Sequence, residues 1–376
     1  MLLPEDHRAV QDAVRTYVQA EVAPHAAAWD KTHAFPAAAL RGLAGLGCYG
    51  VAVPAEHGGA GLDYLALAVI LEEIAAGDGA TSTIVSVNNC PVCSILLAWG
   101  NADQQARFLA PLARGDLLGA FCLTEPHVGS EAGGLKTTAV RDGSDYVLDG
   151  VKQFITSGKH GDLAIVMAVT EKGAGKKGIS AFVVPTTTPG YVVTRLEDKM
   201  GQHASDTVQI LFDNCRVPAE NLLGEEGMGL KIALSGLEGG RIGIASQSVG
   251  MARAAFAAAL TYSKERTSFG QPIFQHQAVQ FKLAEMATQV EVARQMIWHA
   301  ASLKDARQPC LKEAAMAKLF ASQMAEAVCS AAIQVFGGYG YVSDFPVERI
   351  YRDVRVCQIY EGTNEVQKIL IGRALG

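Results

Sequence analysis

The runs Ala164-Ile165-Val166-Met167-Ala168-Val169 and Ile179-Ser180-Ala181-Phe182-Val183-Val184 decide the fold. They are short and β-rich, and Tyr146-Val147-Leu148 precedes them with the same texture. Further on, Val208, Ile210 and Phe212 alternate with Gln209 and Asp213, the pattern of a strand with one buried face. Turns such as Arg141-Asp142-Gly143 and Pro189-Gly190 separate the runs. Nothing helical of ordinary length fits between them. That spacing predicts an antiparallel barrel or sandwich over residues 116–225, not a parallel sheet.

The flanks read differently. Residues 1–115 are Ala/Leu-rich with helical spacing, broken at Pro24, Pro36, Pro54 and Gly58-Gly59-Ala60-Gly61. Leu65, Ala68, Val69 and Leu71 form one helical stripe. In residues 226–376, Val279, Leu283, Met286, Val290, Ala293 and Ile297 recur at four- and three-residue steps, the seam of a helix packed in a bundle. The expected fold class is α+β multidomain: a helical domain, a middle antiparallel β domain and a C-terminal four-helix bundle.

Composition narrows the function. The 376 residues are 49% hydrophobic and 19% charged, ample for a buried core and inconsistent with disorder. Lys+Arg 32 against Asp+Glu 38, with no basic block, gives no electrostatic footprint for nucleic acid. No continuous apolar run approaches the ~20 residues of a membrane span, so no membrane insertion is expected. The N-terminus turns polar at once and reads as no signal peptide. Eight scattered cysteines suit a reducing compartment, and a cytoplasmic protein is expected.

Several chemistries lack their motif. There is no G-x-x-x-x-G-K-[ST], G-x-S-x-G or H-E-x-x-H, and no G-x-G-x-x-G in a strand–turn–helix setting. Cys90-Pro91-Val92-Cys93 has half of a zinc spacing but no second ligand pair, so its cysteines read as buried helix positions and no metal is expected. Three polar, glycine-containing segments remain. Phe121 to Ser130 runs from an apolar strand into a loop whose Thr124, Gly129 and Ser130 can bind a ligand or cap a turn. Lys152 to Gly158 sets Phe154 beside Thr156, suited to one face of a flat ring or to a core. In Ile359 to Glu365, Glu361 has apolar neighbours, which raise a carboxyl pKa toward that of a general base, while Thr363 can cap the last helix.

Taken together, Leu123-Thr124-Glu125-Pro126…Gly129-Ser130, Phe154-Ile155-Thr156, Arg266-Thr267-Ser268-Phe269-Gly270, Gln334-Val335-Phe336-Gly337-Gly338-Tyr339-Gly340 and Ile359-Tyr360-Glu361-Gly362-Thr363 resemble the acyl-CoA dehydrogenase family. The likeness spans nearly the whole chain, in the family's order and spacing. It implies non-covalent FAD and an acyl-CoA thioester. Glu361 would remove the α proton while the β hydrogen leaves as hydride to flavin N5, giving the trans-2-enoyl-CoA. The base's own backbone N–H would help polarise the carbonyl.

By the same resemblance, Phe121, Leu123, Thr124, Gly129, Ser130, Phe154, Ile155 and Thr156 belong to segments that hold the flavin ring. Arg266, Phe269 and Gln277 match contacts to the rest of FAD, as do Thr363 and Glu365. Gln334, Gly337 and Gly338 match a loop that reaches the FAD of a neighbouring subunit, which implies a homotetramer built as a dimer of dimers. Ser130, Glu238, Arg241, Glu361 and Gly362 match substrate contacts, and electron-transfer flavoprotein is the implied acceptor. Phe154 stands where many members have Trp, and Glu238 replaces the more usual Asp. Some relatives carry the base on the earlier helix, at a position occupied here by Gly240, which cannot serve.

The segment Arg241 to Gln247 is most similar to the short-chain branch. Ile242 and Ile244, with Ile84, Val87, Ile95 and Leu96 from a helix over 81–99, are the expected walls of a pocket for C4 to C5 acyl groups, straight or α-methyl-branched. Two other readings stay open. One is a flavin oxidase or monooxygenase on the same fold that reacts with O₂; the other is a non-catalytic helical scaffold.

Overall fold

The computed structural model describes residues 2–376. The N-terminal segment contains α1 (Glu5–Glu21), α2 (Ala26–Thr32), α3 (Ala37–Gly45), α4 (Tyr64–Gly77), α5 (Gly79–Val87), α6 (Ser94–Trp99), α7 (Ala102–Gln104) and α8 (Ala110–Arg114), with a π-helical turn at Asn88–Cys93. Aspartates start two of these helices. The Asp63 carboxylate accepts from Ala66 N–H at 2.8 Å, and Asp78 accepts from Thr81 N–H at 2.7 Å. Between them α4 is apolar on nearly every side and buried along almost its whole length.

Two acids interrupt that apolar surface, and both are paired. Glu73 receives Arg15 of α1 at 2.8 Å and Arg253 at 2.6 Å. Glu72 receives Arg294 at 2.9 Å. A buried carboxylate without such partners would carry a large desolvation cost.

The middle segment supplies β1 (Gly119–Cys122), β2 (Thr138–Asp142), β3 (Asp145–Thr156), β4 (Leu163–Val169), β5 (Ile179–Pro185), β6 (Tyr191–Leu196), β7 (Thr207–Pro218) and β8 (Leu222–Leu223). They form one sheet in the order β6-β7-β3-β2-β4-β5-β8, with β1 on β4. Neighbours are mostly antiparallel, as the turn spacing predicts. However, β1 runs parallel to β4 and β2 meets β4 in parallel at Thr138–Val169, so the sheet is mixed. The β2–β3 hairpin lies between β1 and β4 in the chain and serves as the crossover a parallel pair needs. Val208, Ile210 and Phe212 are buried as their alternation requires.

The C-terminal segment opens with α9 (Gly229–Glu265), whose 37 residues span about 55 Å. After the short hairpin β9 (Thr267–Ser268) and β10 (Gln271–Pro272) come α10 (Gln277–Asp305), α11 (Leu311–Phe336), α12 (Pro346–Val354) and α13 (Asn364–Leu375). Leu283, Met286, Val290, Ala293 and Ile297 are all buried. Leu65, Ala68, Val69 and Ala75 of α4 share one apolar core with α9, α10 and α11. A helix of the N-terminal segment therefore packs into the core of the C-terminal bundle. Asp305, at the end of α10, fastens it by accepting from the Tyr64 and Leu65 N–H groups at 2.7 and 3.1 Å.

Gly79–Trp99 and Leu311–Tyr341 are long and apolar enough, by length and composition alone, to cross a membrane. In the fold the first is almost wholly interior, and the second packs one side into the helical core.

Candidate active site

Glu361 lies in the turn between α12 and α13, at φ +54°, followed by Gly362 at φ +86°. Two successive left-handed residues fold the chain back sharply, and only the second is a glycine, so the turn holds Glu361 in a strained backbone conformation. Thr363 caps α13, accepting from Val366 N–H at 3.4 Å. The preceding Tyr360 reaches inward, and its hydroxyl donates to Gln247 Oε1 at 2.6 Å. Gln202 Nε2 and Thr83 Oγ1 lie 3.4 and 3.5 Å from the same oxygen.

Glu361 is half-buried; its Oε2 is closed to solvent and has no hydrogen-bond partner. Burial pushes its pKa up to about 7, against the pull of the Arg241 and Lys318 cations. Arg241, on α9, is buried, its Nε unpartnered, and burial holds its guanidinium below the ordinary arginine range despite Glu361 and Glu238. The result is a carboxyl poised to gain or lose a proton near neutrality beside a buried cation.

The facing stretch of α9 has no side chains at three positions. A Cβ on Gly236 would fall 2.7 Å from Pro91 Cβ and 2.8 Å from Ile95 Cγ1. One on Gly239 would fall 2.8 Å from Cys90 Sγ and 2.9 Å from Tyr64 Cε1. Past Gly240 the cleft is therefore filled by Cys90, Pro91, Ile95 and Tyr64. A cavity of about 20 Å³ remains beside Tyr64 and Cys90, space for one small group.

This corrects the expected pocket walls. Ile242 and Ile244 lie in the core shared by α4, α9, α10 and α11, and Ile84 lies in the N-terminal core. Leu96 and, at its edge, Val87 pack in the core between the middle sheet and α6. Of the residues named for that role, Ile95 alone meets the glycine face of α9. Glu238 has a partner within the chain. Burial pushes its carboxyl up, but the Lys304 ammonium at 2.9 Å prevails and holds it below the usual range, so the carboxylate is engaged within the chain. Cys90 and Cys93 are buried and unpaired. Among the described residues, no group of three or more His, Cys, Asp or Glu side chains is placed to hold a metal ion.

A second region gathers the segments at β1 and β3. Beyond Phe121 the chain enters the loop of Leu123, Thr124 and Glu125. The buried Glu125 carboxylate accepts from Lys136 N–H at 2.7 Å, Thr137 N–H at 3.0 Å and Lys152 Nζ at 2.8 Å. Lys152 also donates to the Leu123 carbonyl at 3.1 Å, and Gln153 N–H donates to Thr124 O at 2.9 Å. This fastening sets the loop against β3 just before Phe154. At Phe154, where a bulge interrupts the β3–β7 register, φ is +58° and the ring stands 63% exposed. Ile155 turns into the sheet core, so on this strand Phe154 and Thr156 carry the side chains that remain available. Gly129 and Ser130 lie exposed on the loop.

The third region is a groove of about 610 Å³ between the end of α9 and the end of α11. Arg266, Gly337 and Gly338 line it together with Tyr262, Phe336 and Tyr339. Its walls include neither the Phe154 strand nor Glu361. Phe269 projects from the β9–β10 turn, 95% exposed, while Gln277 and Gln334 are exposed at the start of α10 and near the end of α11. Glu365 faces solvent on α13. The Arg266 guanidinium over an open groove, two glycines with empty space where a Cβ would stand, and an uncovered aromatic face together fit a ligand with a pyrophosphate and a flat ring.

The Lys152–Glu125 pair and the Tyr360 network went unread in the sequence. The first had a signal: Lys152 continues the inward register of Tyr146 and Leu148 on β3, where a lone lysine needs a partner.

The family described as acyl-CoA dehydrogenase matches over its N-terminal domain at residues 4–116, its middle domain at 120–215 and its C-terminal domain at 227–376. The short-chain specific acyl-CoA dehydrogenase, mitochondrial, of Homo sapiens is 47% identical over 369 residues, 98% of this chain and 90% of that protein. Butyryl-CoA dehydrogenase from Megasphaera elsdenii superimposes with a TM-score of 0.97 at 40% identity, covering 100% of this chain and 99% of the other. A chain from a structural study of the electron transferring flavoprotein of Acidaminococcus fermentans gives 0.98 at 44% identity, covering 100% and 99%. The chain belongs to the acyl-CoA dehydrogenase family, oxidoreductases that act on the CH–CH group of acyl-CoA.

Proposed function

We propose that this enzyme converts a short-chain acyl-CoA to its trans-2-enoyl-CoA with Glu361 as general base. The observation that carries the reading is the Glu361 carboxyl itself: half-buried, with Oε2 closed to solvent and without a partner, set in the space over Gly240 and pushed up to about 7. A base that takes a weakly acidic α proton works best when its pKa lies near the operating pH. The Glu361 N–H lies in the turn, outside the α12 and α13 ladders, and is the expected donor to the thioester carbonyl. Arg241 keeps positive charge beside the carboxyl.

Phe154, Thr156 and the Leu123–Glu125 loop would hold the ring of FAD, with Arg266, Gly337 and Gly338 on its pyrophosphate side. When bound, FAD supplies the acceptor for the β hydrogen. The Arg266 groove lies apart from the Phe154 strand, which favours each groove serving the cofactor of another subunit; this requires at least a dimer and accords with the homotetramer the family resemblance implies. The likeness to a chain from the electron transferring flavoprotein study supports such a flavoprotein as electron acceptor. Eight buried, unpaired thiols accord with a cytoplasmic location. The filled cleft past Gly240 favours C4 to C5 acyl groups.

Anaerobic mixing of the FAD-loaded enzyme with a panel of acyl-CoAs tests this. The oxidised flavin absorbance should fall fastest with butyryl-CoA, and oxygen uptake without an added acceptor should be slow. Rapid oxygen uptake would favour the oxidase reading. No bleaching with any acyl-CoA would overturn the assignment.

A further inference from the structure

We propose that Lys318 and Gln367 form a clamp that positions the catalytic base from behind, fixing the Gly362 carbonyl and, through Gln367, that of Glu361 so that the carboxyl lies over Gly240. The inference rests on the reading of Glu361 as the base. Lys318 projects from α11 and Gln367 from α13, and both are 0% exposed. Lys318 Nζ donates to the Gly362 carbonyl at 2.8 Å and to Asn364 Oδ1 at 3.1 Å. Gln367 Nε2 donates to the same carbonyl at 2.8 Å and lies 3.3 Å from the carbonyl of Glu361. Asn364 is held in turn by Ser322 Oγ at 3.1 Å.

One carbonyl oxygen thus receives two buried donors from two helices. That arrangement lies directly behind a left-handed, non-glycine residue, whose conformation persists only where its surroundings over-determine it. Neither side chain is needed to start α13, because Thr363 caps it. A fully buried lysine is costly to place. Burial brings its ammonium down to about 8, with Cys357, Glu361 and Glu365 pulling upward and Arg241 pushing downward.

Lys318 also contributes charge. The titratable and charged groups facing Glu361 and Lys318 are Arg241 of α9, Cys357 of the turn after α12, Glu365 of α13 and, toward Glu361, Cys90 of the π-helical turn. Burial keeps both thiols protonated, above their usual range. Lys318 and Arg241 are therefore the cations that favour the Glu361 carboxylate. Gln367 contributes geometry alone.

That difference makes the test specific. Wild type, Gln367→Leu, Lys318→Met and Glu361→Gln are compared as FAD-loaded holoenzymes with butyryl-CoA and an artificial acceptor from about pH 6 to about 9. FAD content and Tm are measured alongside. Gln367→Leu is expected to lose about tenfold or more in kcat at every pH with its FAD retained, since a small misplacement of a reacting group is amplified in rate. Lys318→Met is expected to lose as much and to move the acid limb of kcat/KM up by about one pH unit.

Wild-type kcat in both variants, with only Tm lowered, would overturn the clamp, as would an unmoved acid limb in Lys318→Met. If Lys318→Met does not yield holoenzyme, Gln367→Leu decides: a tenfold loss supports the clamp and wild-type kcat overturns it. Glu361→Gln tests the base separately. If that variant turns over normally, the reading of Glu361 fails whatever the clamp variants do.

Discussion

A Cβ atom placed on Gly240 falls 2.7 Å from Oε2 of Glu361 and 3.2 Å from Oε1. The carboxyl of the last loop thus occupies the volume that any other residue on α9 would fill. Helix and loop are complementary at one atom. Gly240→Ala should therefore fold well, since alanine favours the helix by about 1 kcal/mol over glycine. It should nonetheless displace the base and cut kcat by about 10²-fold with FAD content unchanged. Steady-state kinetics beside a thermal melt checks this, and a wild-type kcat would show that the carboxyl works from another position.

Glu361→Gln should keep the packing and lose at least about 10²–10⁴-fold in turnover, the range of a general-base contribution. It also carries a stability signature. The folded enzyme holds this proton up to about pH 7, whereas the unfolded chain releases it near 4.5. The folded state's advantage from Glu361 is full below about 4.5 and is lost as pH rises through 7. The neutral glutamine has no such loss. Without substrate, the Tm of Glu361→Gln should match wild type near pH 4 and exceed it by a few degrees near pH 8. An equal difference at both pH values would argue against a perturbed carboxyl.

Lys152→Met should destabilise through the acid it strands. Burial lowers the Lys152 ammonium even with Glu125 beside it, while Glu125, also opposed by burial, is held down by Lys152 and the backbone donors. Removing one partner of a buried pair typically costs about 3–5 kcal/mol. The Lys136 and Thr137 N–H groups should keep the loss near the lower figure. Urea unfolding measures it, and FAD retention should fall in parallel because the Leu123–Glu125 loop loosens. Adding Glu125→Gln should recover part of the loss.

Ile95→Ala should lengthen the preferred substrate. Ile95 fills the space opposite Gly236, and shortening it opens the cleft past Gly240. The ratio of kcat/KM for hexanoyl-CoA over butyryl-CoA should rise about tenfold, since each methylene accommodated is worth roughly 1–3 kcal/mol. An unchanged ratio would place the acyl tail elsewhere.

Short-range patterning carried much of this structure. The seam on α10, the alternation on β7 and the apolar runs of β4 and β5 each depend on a period read within a few residues. The five segments that carry the family resemblance were recognisable because each is a short, contiguous motif. Pairings over long separations were not. Nothing local announces that β1 lies parallel to β4 across a hairpin, or that α4 joins helices more than 160 residues downstream. Ile242 and Ile244 were misplaced because α9 is buried on several sides, so an apolar residue there does not reveal which neighbour it meets. Lys318 and Gln367 were silent because a polar residue in a helix looks solvent-facing until its partner is known.

The staples on α4 have a consequence for how the protein comes apart. Glu72 and Glu73 are tied to arginines from α1, α9 and α10, and Asp305 holds the first turn of the same helix. Cut from the rest, residues 1–116 would present α4 to water with its apolar sides bare and its two acids deprived of Arg253 and Arg294. Such a fragment would aggregate instead of folding, and the two helical segments should melt in one transition. During synthesis the first helices must wait, partly assembled, until the last third of the chain arrives to enclose them.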